Sequence, residues 1–297
     1  MERKYKNAAK EFIWQGDKPQ SIDNRAAMRE DINKMDYSSS IRQEKENLTL
    51  YQFPLFQSVP GLVHGVFTRL GGESGGALQG LNLSFSVGDQ AGRVAGNRKR
   101  VRDLLNLPSL TSLRQVHGTE AVIISNGRGP DTTETPETET GDILLTDRPG
   151  IGLMIKQADC QAVMLVDPRH KALANIHCGW RGNVRGVISE GIKHLRAAYG
   201  TDPADLLAAV GPSLGPCCAE FIHYREELPE EAWQYQVRPF YFDFWQWSRE
   251  QLVAAGVRNE NIAVAGICTS CRTDEFYSYR KEKMTGRFGS VIGLLEI

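Results

Sequence analysis

The chain has 297 residues, 41% of them hydrophobic and 24% charged, and its formal net charge at pH 7 is -1. So even a balance carries no electrostatic footprint for nucleic acid or an anionic membrane surface, and no apolar run reaches the roughly 20 residues of a membrane span. The opening residues, MERKYKNAAKEFIWQGDKPQ, lack the apolar core of a secretory signal, so the expected location is cytoplasmic.

Residues 1–48 read as a polar N-terminal extension, and 49–297 as the main domain. GLVHGVFT then predicts a strand, and RLGGESGGALQGLNLSFSVGD is a long glycine-rich connection of the kind that carries function. AGRVAGNRKRVRDLLNL has helical spacing, with Val94, Val101, Leu104 and Leu105 on one side and arginines on the other. TSLRQVHG and TEAVIIS read as a pair of strands, and the acidic, proline-broken GRGPDTTETPETETGD as a solvated loop.

GIGLMIKQA, AVMLVDP and KALANIH are three apolar runs at close intervals, consistent with strands of a sheet core. After GWRG a helix is expected from about Asn183, with Val184, Val187, Ile188, Ile192 and Leu195 as its apolar side and Gly200 as its stop. LLAAVGPS, IAVAGIC and GSVIGLLEI predict further strands, and YFDFWQWSREQLVAAG an amphipathic helix. Strands and helices mix without strict β-α-β alternation, so the class is α/β or α+β in one main domain.

Three chemistry-bearing residues stand at the ends of apolar runs: His117 in QVHG, Cys160 in ADC and His177 in IHCGWRG. A thiolate and two imidazoles suit zinc or copper, and three protein ligands with an open position define a catalytic zinc site. A core cysteine with two hydrogen-bonded histidines fits the pattern too. The glycine-rich GWRG turn lets backbone approach a ligand, and Arg181 and Gly182 at a helix start would favour an anion; a plain turn with an exposed arginine is the alternative.

Cys268 and Cys271 in CTSC lack a second pair at zinc-ribbon spacing and read as a packed thiol pair. Cys217 and Cys218 in GPCC read as structural, since adjacent residues of a strand point to opposite faces. Arg280 and Arg287 lie in a polar segment that could face an anionic substrate or solvent.

In order along the chain, TRLGGES, LNLSFSVGD, NRKRV, QVHG, ADC, IHCGWRG, VGPSLGPCC, CTSC, FYSYR and TGR resemble the laccase-domain family, also called the YfiH-like or multicopper polyphenol oxidase family. The resemblance runs from about Tyr51 to the C-terminus. It implies a four-layer α-β-β-α sandwich, similar to the catalytic domain of a bacterial deamidating toxin, and a metal site on His117, Cys160 and His177. It also carries Arg69, Asn82 and Arg287 over as substrate-pocket candidates. Where relatives often read CCYEV this chain reads CCAEF, so Ala219 cannot supply an aromatic hydroxyl.

The resemblance further implies a purine nucleoside enzyme. The reactions expected are phosphorolysis of adenosine, inosine and S-methyl-5′-thioadenosine, and deamination of adenosine, with Zn²⁺ as cofactor and Cu²⁺ as the other candidate metal. Purine nucleosides and phosphate are then the partners, Arg181 and the helix start the phosphate cradle, and Asp159 the expected proton donor. Two alternatives stand beside this reading: a copper-dependent polyphenol oxidase, and a Cys-His hydrolase or amidase that edits cell-wall precursors.

Overall fold

The computed structural model describes residues 39–124 and 131–296. The described strands are β1 (Ile41–Lys45), β2 (Leu48–Gln52), β3 (Leu62–Phe67), β4 (Ser109–Thr111), β5 (Ala121–Ile124), β6 (Ile143–Thr146), β7 (Ile151–Gln157), β8 (Gln161–Asp167), β9 (Ala172–Cys178), β10 (Leu207–Val210), β11 (Gln236–Arg238), β12 (Tyr241–Phe242), β13 (Ile262–Val264) and β14 (Phe288–Leu294). Twelve of them build two six-stranded sheets, ordered β1-β2-β3-β14-β7-β4 and β13-β10-β8-β9-β6-β5.

Period-two alternation sorts the side chains into layers. In β7, Ile151, Leu153 and Ile155 face the space between the sheets, and in β8 so do Ala162, Met164 and Val166. The opposite face of β8, Val163 and Leu165, packs under the helices Val187–Tyr199 and Phe244–Ala254 through Ile188, Ile192 and Leu252. Met154 of β7 and Val291 of β14 turn outward onto Val101 and Leu105 at the 91–104 helix. The result is the expected α-β-β-α sandwich. Asn175 of β9 crosses the central layer, its Nδ2 donating to the carbonyls of Leu153 and Ser290 at 2.9 Å each.

Several expectations are corrected. Most of the 1–48 extension lies outside the described residues, but its end does not, since β1 pairs with β2 as the edge of the first sheet. TSLRQVHG is not a strand beyond its first residue, Thr111, which closes β4, and its expected partner TEAVIIS, as β5, pairs with β6 in the other sheet while β4 pairs with β7. A helix begins at Trp180, earlier than expected; it ends at Val184, and Gly186 (φ 69°) precedes the longer one. Val184 is exposed rather than apolar-side, while Gly200 does end the longer helix at φ 74°.

The arginines of the 91–104 helix do not all face water. Arg98 is fully buried, donating to the carbonyls of Leu83 and Thr132 and pairing with Glu137 at 2.5 Å. Glu137 also contacts Lys156 Nζ and accepts from Ser112 Oγ at 2.6 Å. The acidic loop is thus partly drawn inward, because two buried cations need its carboxylate.

Burial alone would raise the Glu137 carboxyl, but Lys156 and Arg98 outweigh it and hold the group down to about 2. A folded value below the unfolded one means that this stability is complete above the ordinary glutamate range and is lost as pH falls toward 2. Glu137→Ala is expected to cost about 3–5 kcal/mol in urea unfolding at neutral pH. Wild type should also lose more stability than the variant between about pH 4.5 and 2; equal losses would contradict the burial of this triad.

Candidate active site

Two of the three marked residues sit where the chain crosses from one sheet to the other. β7 ends at Gln157 in the first sheet and β8 starts at Gln161 in the second, leaving Ala158, Asp159 and Cys160 to make the corner. So tight a corner holds Asp159 at φ 90°, a region that side chains other than glycine avoid. The link from β4 to β5 makes a second crossing and carries His117 at φ 61°. His177 lies near the end of β9, directly opposite Ala162 of β8. One end of the sandwich therefore receives all three.

There the ligand atoms of His117, Cys160 and His177 lie within 4.8 Å of one another. Cys160 Sγ is 3.8 Å from His117 Nε2, and the two imidazole rings meet edge to face at 4.8 Å. Gly179 leaves the room: a β-carbon there would stand 2.9 Å from His117 Cδ2 and 3.0 Å from Cys160 Sγ.

Asp142, absent from the sequence expectations, organises the cluster. Its Oδ1 accepts from His177 Nδ1 at 2.7 Å and from the His117 amide at 3.0 Å. Its Oδ2 accepts from the Val116 and Gly118 amides at 3.2 and 2.7 Å. The His177 contact commits Nδ1 as donor and leaves Nε2 for the centre, the carboxylate–histidine arrangement of metal sites. A lone Asp before ILLT carries no signal in the sequence, because its partners are 24 to 35 positions away.

Electrostatics follow the geometry. Burial pushes the Cys160 thiol up, but the His177 charge and the hydrogen bonds from both histidines outweigh it and bring it down to about 6. Burial would lower His177, and the Cys160 and Asp142 charges instead raise it to about 9. A thiolate and two imidazole nitrogens around one point, with the Asp142 carboxylate behind, fit a divalent ion of the zinc class.

The cluster borders a cavity of about 970 Å³. Arg181 lies on its wall over the Trp180 ring at 4.2 Å, and Arg287, Arg280, Arg114 and Lys283 also line it. Phe85, Phe221, Phe244 and Tyr279 add aromatic surface, and Lys156 and Glu137 reach it from the buried triad.

The other expected pocket residues fall behind this wall. Arg69 is engaged by Glu282 at 2.8 Å and by the Thr273 carbonyl. Asn82 is fully buried, and its Oδ1 accepts from the Arg287 amide at 2.9 Å, so it positions a wall residue. Gly182 is buried in the short helix against Val187. Ala219 lies in the aromatic cluster of Phe221, Phe242 and Trp247.

Asp159 does border the cavity, but its carboxylate accepts from Thr269 Oγ1 and Ser278 Oγ at 2.7 Å and from the Arg280 amide at 2.6 Å. Three donors make it an anchor for the corner, which is a different task from the expected proton donation.

The cysteines expected to be merely packed are also corrected. Cys217 and Cys218 fall in a turn, where strand alternation does not hold, and their thiols converge with those of Cys268 and Cys271.

Fold and site together define an α-β-β-α sandwich with a His₂Cys cluster at its open end. Residues 63–295 match the family described as multi-copper polyphenol oxidoreductase laccase, and the chain belongs to that family. It is 33% identical over 251 residues to purine nucleoside phosphorylase YlmD of Geobacillus stearothermophilus, covering 80% of this chain and 91% of that one. Purine nucleoside phosphorylase YfiH of Escherichia coli is 31% identical over 236 residues, covering 77% and 92%. The crystal structure of Geobacillus stearothermophilus YlmD superposes with a TM-score of 0.77 at 31% identity, covering 86% of this chain and all of that one.

Replacing Asp142 by Ala frees the His177 ring and the 116–118 backbone together. Affinity for zinc, measured by competition with a chromophoric chelator, is expected to fall about 10- to 100-fold. Unchanged affinity would mean that the carboxylate plays no part in the site. Gly179→Ala should reduce bound metal by crowding Cys160 and His117 while leaving the circular dichroism spectrum unaltered.

Proposed function

We propose that the protein is a zinc-dependent purine nucleoside enzyme. It would cleave adenosine, inosine and S-methyl-5′-thioadenosine with phosphate, and also deaminate adenosine. The observation that carries this reading is that one cavity combines the His₂Cys cluster, a cationic wall and aromatic faces. Relatives that are 33% and 31% identical over the aligned residues and carry the name purine nucleoside phosphorylase support it.

Phosphorolysis requires an anion close to C1′ of the ribose while the base departs. Arg181, Arg280 and Arg287 on the cavity wall are suited to hold that anion and to screen it from water. Phe221, Phe244 and Tyr279 offer flat apolar surface for a purine.

His117, Cys160 and His177 would hold the zinc, which when bound supplies Lewis acidity and lowers the pKa of water. Asp142 engages His177 Nδ1, so Nε2 is the nitrogen that would serve the ion once its own proton is displaced. Asp159 holds the corner that presents Cys160, through Thr269, Ser278 and the Arg280 amide.

The copper-oxidase alternative has less support, because two of the four histidines outside the cluster are engaged elsewhere. His64 accepts from the Phe53 amide at 2.8 Å, and His170 pairs with Asp167. The lowered Cys160 thiol favours a second reading, a Cys160 nucleophile activated by His177 without metal.

Purified, metal-quantified protein is to be incubated with adenosine, with and without phosphate, and the products separated by chromatography. Adenine with ribose 1-phosphate only when phosphate is present, and inosine in either buffer, are the expected products. Both should disappear in Cys160→Ala and after chelation. Intact adenosine with a fully occupied metal site would overturn the purine reading, while activity that survives chelation would favour the metal-free nucleophile.

A further inference from the structure

A second cluster stands apart from the His₂Cys site and is used by no step above. The thiols of Cys217, Cys218, Cys268 and Cys271 all lie within 4.8 Å of one another. Cys217 and Cys218 each place Sγ 3.5 Å from Cys271 Sγ. At that distance the sulfurs are not bonded to one another, since a disulfide measures about 2.05 Å. A tetrahedral ion with bonds of about 2.3 Å to four sulfurs would set those sulfurs about 3.8 Å apart, which is the scale seen here.

The backbone around the thiols is built to hold this arrangement. The Cys218 and Ala219 amides donate to the Gly215 carbonyl at 2.9 Å, closing the turn that brings two adjacent cysteines to one side. The Arg272 amide donates to the Cys268 carbonyl at 3.1 Å, closing the CTSC turn. Between the segments, the Ser213 amide donates to the Ile267 carbonyl and the Thr269 amide to the Ser213 carbonyl.

The Gly215 amide donates to Cys268 Sγ at 3.3 Å, as outer-shell donors do to metal-bound sulfur. Gly215 has no room for a side chain, since a β-carbon would stand 2.7 Å from Trp245 and 3.0 Å from Cys268. Arg238 donates to the Cys217 carbonyl at 3.2 Å and leaves its buried Nε without a hydrogen-bond partner, bringing a cation beside the group of four thiols.

We propose that Cys217, Cys218, Cys268 and Cys271 form a structural tetrathiolate site for a soft divalent ion of the zinc class, separate from the His₂Cys site. Four protein ligands close the coordination shell, so this ion takes no substrate. Its task is mechanical. The Leu214 amide donates to the Asp159 carbonyl at 2.8 Å and Thr269 Oγ1 donates to the Asp159 carboxylate at 2.7 Å, so each clamped segment grips the corner that presents Cys160. The second ion would tie those two grips together.

The test counts metal and reads its ligands, without an activity assay. Protein from zinc-supplemented cultures, purified without chelator under reducing conditions, is expected to carry two zinc ions per chain. The triple variant His117→Ala, Cys160→Ala, His177→Ala should retain one. Cobalt exchanged into that variant should give the intense visible bands and thiolate charge-transfer absorption of a tetrahedral four-sulfur site.

Cys268→Ser with Cys271→Ser should lose that ion and melt at lower temperature. If this variant fails to fold, the cobalt spectrum of the triple variant still decides. A triple variant without zinc or cobalt absorption, or an intact mass two or four hydrogens short from disulfides, would overturn the proposal. So would cobalt bands of a site with fewer sulfurs.

Discussion

The Asp142 carboxylate is the joint on which the candidate site depends. Its oxygens collect three consecutive backbone amides, from Val116 to Gly118, and the Nδ1 proton of His177. One buried anion therefore fixes a loop that reaches from the first sheet and a histidine near the end of a strand in the second. The Asp142 carboxyl is itself held below its usual range, the His177 and Gly118 contacts overcoming the opposing effect of burial. A charge in that position is costly unless saturated with donors, and here four groups saturate it.

Around this joint the architecture supplies placement. The two sheets share a packed central layer, and both crossings that carry the ligands are strained, the β7–β8 corner being short as well. Asp159 and His117 both occupy the left-handed region, at a cost of order 1–3 kcal/mol each by general experience. Such a conformation persists only when neighbours over-determine it. For His117 the neighbour is Asp142; for Asp159 it is the set formed by Leu214, Thr269, Ser278 and Arg280. Rigid strands on either side of each corner then hold the ligand atoms closer than flexible loops would.

Strand-rich segments are legible in the sequence, because β7, β8, β9 and β14 are apolar runs bounded by turn residues. The four-layer arrangement follows from the ordered motifs. A helical wheel turns Arg98 outward because arginine is polar, and it cannot see Glu137 arriving from a loop 39 positions away. Strand alternation separates Cys217 from Cys218, but a turn has no such alternation. Arg69 and Asn82 are named by motif alone, and motifs do not show what holds a side chain: one is gripped by Glu282 and the other lies behind Arg287.

By itself the sequence determined which residues carry strong chemistry, His117, Cys160 and His177 among them, and which segments are apolar enough to form the core. Residue type and periodicity are local properties, readable along a few neighbouring positions. Only the tertiary structure decided that Asp142 orients the histidines, that Asp159 is an anchor, and that four cysteines from two distant turns meet at one point. Those facts depend on contacts between residues far apart in the chain, and such contacts exist only once the two sheets have packed and set the directions of their connecting turns.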